Sequence, residues 1–63
     1  MHPATEAILA YFEHGHLPPR QSQIASHFRS LARFMAENLE GPELTAGLRK
    51  LLEAKDCCVR ASL

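Results

Sequence analysis

RQSQIASHFRSLARFMAENL, residues 20–39, decides the fold. Its large apolar residues Ile24, Phe28, Leu31, Met35 and Leu39 recur at spacings of four, three, four and four. That interval follows the 3.6-residue turn of an α-helix and makes one side of it oily. The segment therefore reads as an amphipathic helix with a face to bury. Phe34 and His27 widen the stripe on one flank, while Arg29, Arg33, Glu37 and Glu40 lie opposite. Arg33 and Glu37 are four residues apart, so the polar side is partly self-neutralised.

Working outward, proline and glycine punctuate the chain on both sides. Gly15-His16-Leu17-Pro18-Pro19 is a short, stiff link, because both prolines fix φ and Pro18 holds Leu17 extended. Before it, a first helix is predicted from Pro3 to His14, with Ile8, Leu9 and Phe12 as its stripe and Tyr11 beside them. After residue 39, Glu40-Gly41-Pro42-Glu43 makes a second break, and a third helix is predicted from Pro42 to Ala61. Leu44, Leu48, Leu51, Leu52 and Val59 mark its core face. So short a connection folds the second and third helices into an antiparallel pair. The expected architecture is all-α: one domain over residues 1–63, with a short N-terminal helix followed by an antiparallel two-helix hairpin, assembled as a homo-oligomer.

The assembly follows from size. A chain of 63 residues buries only about 60% of its unfolded surface, and so small a core rarely supplies more than about 3–5 kcal/mol. Disulfides do not help, because Cys57 and Cys58 are adjacent and point about 100° apart on a helix. A metal does not help either. His14-Gly15-His16 lacks any accompanying Cys-x-x-Cys or His-Glu-x-x-His, so no metal and no cofactor is expected. Oligomerisation remains. No apolar run approaches the roughly 20 residues of a membrane span. The net charge of +0 argues against binding a DNA or RNA polymer. No secretory leader is read ahead of the cysteines, so the expected compartment is a reducing cytoplasm.

Three features go beyond a bland hairpin. Lys55 falls near the middle of the arc made by Leu44, Leu48, Leu51, Cys58 and Val59. An ammonium there must escape along its stem, pair with a carboxylate such as Glu6 or Glu13, or meet an anionic ligand at a subunit boundary. Ala46, Gly47, Ala54, Cys57 and Ala61 form a strip of small residues that lets another helix approach. Arg49, Glu53, Asp56 and Arg60 form a polar ridge with two four-residue pairings, and Arg60 in the last turn can reach a phosphate as a planar fork. Catalysis finds no support. The hydroxyls Ser22, Ser26, Ser30 and Thr45 lack an evident base held by a third group, and neither cysteine has a clear activating neighbour.

Several stretches carry a resemblance: Ala10-Tyr11-Phe12-Glu13-His14-Gly15-His16-Leu17-Pro18-Pro19, Phe28-Arg29-Ser30-Leu31-Ala32, Gly41-Pro42-Glu43, Gly47-Leu48-Arg49-Lys50-Leu51-Leu52-Glu53-Ala54-Lys55-Asp56 and Val59-Arg60-Ala61. They resemble a family of short phage proteins, the anti-CBASS cyclic-oligonucleotide sponges, whose helical hairpin also occurs within an anti-Thoeris sponge. The resemblance implies a compact homo-oligomer, commonly a hexamer, acting in the cytoplasm of an infected bacterium. It implies capture without cleavage of cyclic dinucleotides, and in some cases cyclic trinucleotides, in pockets between protomers.

The resemblance also assigns roles. Tyr11 matches the family's base-stacking aromatic ahead of the His-Leu-Pro-Pro turn. Many relatives then carry Ser-Lys-Pro-Phe, whose lysine contacts phosphate. Here the stretch is Ala25-Ser26-His27-Phe28, which leaves Ser26, His27 or Arg29 to take over that contact, or implies a different ligand preference. The candidate ligand-binding set is Tyr11, Ser26, His27, Arg49, Lys55 and Arg60. The alternative is an oligomeric helical module that docks on a host protein. On either reading the isolated monomer is expected to be unstable. Sedimentation at micromolar concentration should show a closed homo-oligomer, and a well-folded monomer at high dilution would contradict this.

Overall fold

Each helix begins on a proline. In the computed structural model, which describes residues 1–63, α1 spans Pro3–Ala10, α2 Pro19–Asn38 and α3 Pro42–Ala61, with no strand. Proline suits the first helical position because its φ is already helical and its missing N–H would have had no acceptor there. α1 gains a cap from His2, whose Nδ1 accepts the Ala4 backbone N–H at 3.0 Å. Neither α2 nor α3 has a side-chain cap at its start.

α1 is shorter than the residues 3–14 expected from sequence. After Ala10 the chain keeps winding but tightens: Tyr11, Phe12 and Glu13 donate to the carbonyls of Ile8, Leu9 and Ala10, three residues back. This tighter turn accompanies the complete burial of the Phe12 side chain. A second turn, closed by Leu17 N–H on His14 C=O at 3.0 Å, leads into the prolines.

α2 and α3 are joined by Leu39–Gly41 alone. Leu39 is extended, and Gly41 takes φ +95° just before Pro42. A positive φ costs a residue with a Cβ, so glycine at this point is what allows the reversal.

The core joins Ile8, Leu9 and Phe12 to Ala32 of α2 and to Leu44 and Leu48 of α3, with Phe28, Met35, Ala36, Leu51 and Leu52 packed around them. The buried side of α2 is not centred on the expected stripe. Ala25 and Ala32 are fully buried, whereas Leu31 and Leu39 are exposed. At 100° per residue the buried centre lies roughly 70° away from the mean of Ile24, Phe28, Leu31, Met35 and Leu39. Alanines let the backbones come close, and the bulkier neighbours then flank the seam instead of filling it. The small-residue strip of α3 is split in the same way. Gly47 faces Met35, whose Cε would lie 3.4 Å from an added Cβ, while Ala54, Cys57 and Ala61 remain exposed.

Two substitutions probe this account. Phe12→Ala should cost about 3–5 kcal/mol, enough to unfold a core of this size. Gly41→Ala should cost about 1–2 kcal/mol through strain at positive φ, although nothing lies within 4 Å of the added methyl. Urea titration followed by circular dichroism measures both. Equal stability of Gly41→Ala and the parent would show that the turn tolerates a Cβ.

Candidate functional site

The six candidate residues occupy three places. Tyr11 caps the end of α1 with its side chain outward, 67% exposed. Ser26 and His27 lie in the first half of α2. Ser26 is half-buried, its hydroxyl donating to the Gln23 carbonyl at 2.6 Å, and His27 is exposed. Arg49, Lys55 and Arg60 lie along α3.

Met35 reaches across to Gly47, which puts the two residues at about the same level of the antiparallel pair. Eight residues further along α3, Lys55 comes level with His27, eight residues back along α2. Ser26, His27 and Lys55 therefore share one level of the hairpin. Arg49 sits six residues before Lys55, about 9 Å away along the axis at 1.5 Å per residue. Arg60 lies nearer the open end.

Lys55 is drawn in as its position on the stripe implies: the side chain is only 12% exposed. Its ammonium is held by neither Glu6 nor Glu13. It pairs with Asp56 at 2.8 Å, and Glu13 instead accepts from Arg29 Nε at 3.3 Å. The polar ridge is rearranged accordingly. Asp56 is turned to Lys55, Arg60 donates to Cys57 Sγ at 3.4 Å, and Arg49 and Glu53 form no ion pair. On α2 the expected Arg33–Glu37 pair is present, at 3.7 Å. The Lys55 partner was available in the sequence as an adjacent Asp56, outside the three- and four-residue spacings that helix surfaces favour.

One pairing with acid–base capacity was not anticipated. His14 Nδ1 lies 2.7 Å from Ser22 Oγ across the Pro-Pro link, partly buried, so Ser22 does have a base beside it. The imidazole has no other side-chain hydrogen bond, and thus no third group orients it as a working nucleophile–base pair requires. No group of three or more His, Cys, Asp or Glu comes together in a way that could hold a metal ion. No helix is long and apolar enough to cross a membrane.

The hollows of the surface lie elsewhere. The larger, roughly 850 Å³, is an open depression at the turn end, between His2 and Thr5 of the N-terminal segment and Glu37, Glu40 and Pro42 at the hairpin turn. The smaller, roughly 350 Å³, lies beside α1 between Glu6, Glu13 and Arg33. None of the six candidate residues lines either one. A site built from them would be a surface on one chain, to be closed by something else.

The Lys55–Asp56 pair makes an asymmetric prediction. Removing Lys55 strands an Asp56 that is 47% exposed and can turn to water, whereas removing Asp56 takes the carboxylate from a lysine whose side chain is only 12% exposed. Lys55→Met should fall within about 1 kcal/mol of the parent, and Asp56→Asn should lose about 1–3 kcal/mol. Thermal unfolding of both at equal concentration checks the order, and a reversed order would mean that Asp56 does not hold the ammonium.

No protein-family model, no curated protein and no solved structure matches this chain.

Proposed function

We propose that this chain is a homo-oligomeric sponge for cyclic oligonucleotide messengers, cyclic dinucleotides first, which it binds and returns uncleaved. Its setting would be the cytoplasm of a bacterium under phage attack, where removing the messenger silences an immune effector. The observation that carries the reading is Tyr11. An aromatic ring stands mostly in solvent at the end of α1, beside the stiff Gly15–Pro19 link and within the stretch that resembles the sponge family. Such a ring can serve as a stacking platform for a purine, worth roughly 1–3 kcal/mol per base.

Two further features favour it. A cyclic dinucleotide has two bases and two phosphates, and a two-fold junction between chains presents each residue twice. Arg49 and Arg60, exposed and free of carboxylate partners, offer guanidinium forks to phosphate on the other face of α3 from Lys55, where they would serve a separate pocket such as one for a cyclic trinucleotide. Lys55 contributes less directly, because a phosphate must compete with Asp56 for its ammonium. Protein docking is the second reading, favoured by the exposed Leu31 and Phe34.

The test is calorimetry against a panel of cyclic dinucleotides and trinucleotides, followed by denaturation and analysis of the released ligand. Stoichiometric binding with intact recovery is expected, and Tyr11→Ala should weaken it about tenfold or more while the oligomer persists. Absence of binding across the panel would favour the protein-docking reading. Progressive appearance of linear product would overturn capture without cleavage and direct attention to His14 and Ser22.

A further inference from the structure

One face of α2 is left largely open by the rest of the chain. Ile24 is half-buried and His27 is exposed, Leu31 is 47% exposed and Phe34 62%. Their spacing along the helix is three, four, three, which is the same in either direction. Across a two-fold axis a helix meets its own sequence reversed, so only a stripe that is its own reverse matches along its whole length. Centred between residues 27 and 31, an antiparallel second copy sets Ile24 opposite Phe34 and His27 opposite Leu31.

The charges of α2 agree with this register. Arg20 lies in the first turn, which has no acidic residue, and Glu37 lies in the last turn, which has no basic one. A helix is electropositive at its start and electronegative at its end, so both charges oppose their own dipole. The antiparallel register places Arg20 level with Asn38 of the second copy, beside its Glu37 and its carbonyl end. Each misplaced charge then meets the dipole end it suits. The contact from Arg33 at 3.7 Å still leaves the Glu37 side chain 58% exposed and able to take part.

We infer that a second copy of this chain docks on this face, with the two α2 helices antiparallel and Ile24, His27, Leu31 and Phe34 forming the seam. This deepens the homo-oligomeric part of the reading above by naming the face and the register, and it does not depend on nucleotide binding. In a Cys57→Ser/Cys58→Ser background, an equal mixture of Ile24→Cys and Phe34→Cys chains should cross-link on mild oxidation, while neither variant alone does. Phe34→Asp, at a position outside the core, should keep its helical spectrum and raise the dimer dissociation constant by about a hundredfold or more. Arg20→Glu should weaken association, and adding Glu37→Arg should restore it. Cross-linking by either single variant alone would indicate another packing and overturn the proposal. So would a parent chain that sediments as a monomer, or a folded Phe34→Asp that associates unchanged. A chain that dimerises in this way but binds no cyclic nucleotide would leave the seam standing and remove only the sponge reading.

Discussion

The close approach of α2 and α3 is the constraint on which the other contacts depend. Ala25 and Ala32 turn only methyl groups to the seam and are fully buried, and Gly47 offers no side chain where Met35 lies. Bringing the two backbones together commits Leu44 and Leu48 to the groove between them and leaves a shallow trough on top. Phe12 fills that trough, and α1 is held through it, supported by Ile8 and Leu9. A larger residue at position 32 would push the helices apart, and the ring would lose the close contacts that bury it. The order of dependence runs from small residues, to spacing, to the aromatic plug, to the third helix.

Much of this is legible in the sequence alone. The prolines at 3, 19 and 42 mark the three starts, because proline at the first helical position works through its own geometry. The end of α3 at Ala61 was equally plain. The end of α1 was not, because Phe12 continues the helical spacing while its burial goes with a tighter turn. The rotation of α2 was hidden for a similar reason. Counting large apolar residues finds the wide oily arc but weighs alanine too lightly, and in a close-packed seam alanine sits at the centre. The unexplained remainder of the stripe, Leu31 and Phe34, is therefore surface to be accounted for.

The candidate site divides along the same line between local pattern and tertiary placement. Tyr11 enters the candidate set through the resemblance to the sponge family, and its side chain stands exposed at the end of α1. Lys55 was singled out because charge on an apolar arc demands a partner, and it has one. Which partner depended on where the carboxylates point: Glu13 is taken by Arg29 across a separation of sixteen residues, and that pairing has no signature in the spacing of either helix. The contact between His14 and Ser22 is of the same kind, since it exists only because the link folds the end of the first segment back over the start of α2.

The plug also divides the molecule lengthwise. Extents of 34 × 18 × 16 Å describe a rod, and the main core cluster gathers residues 28–36 of α2 with 44–52 of α3 under α1. Beyond it lie the first two turns of α2 and the last two of α3, together with the link where His14 meets Ser22. Opening free energies in such a rod are graded from one end to the other. On that grading, amides near Leu48, at the centre of the core, should be the slowest to exchange, and those near Val59 should exchange through fraying of the helix end. Ordering of that looser end is thus a reservoir of entropy: whatever settles on it must first still it, and its stiffening would lock the far, already rigid end very little.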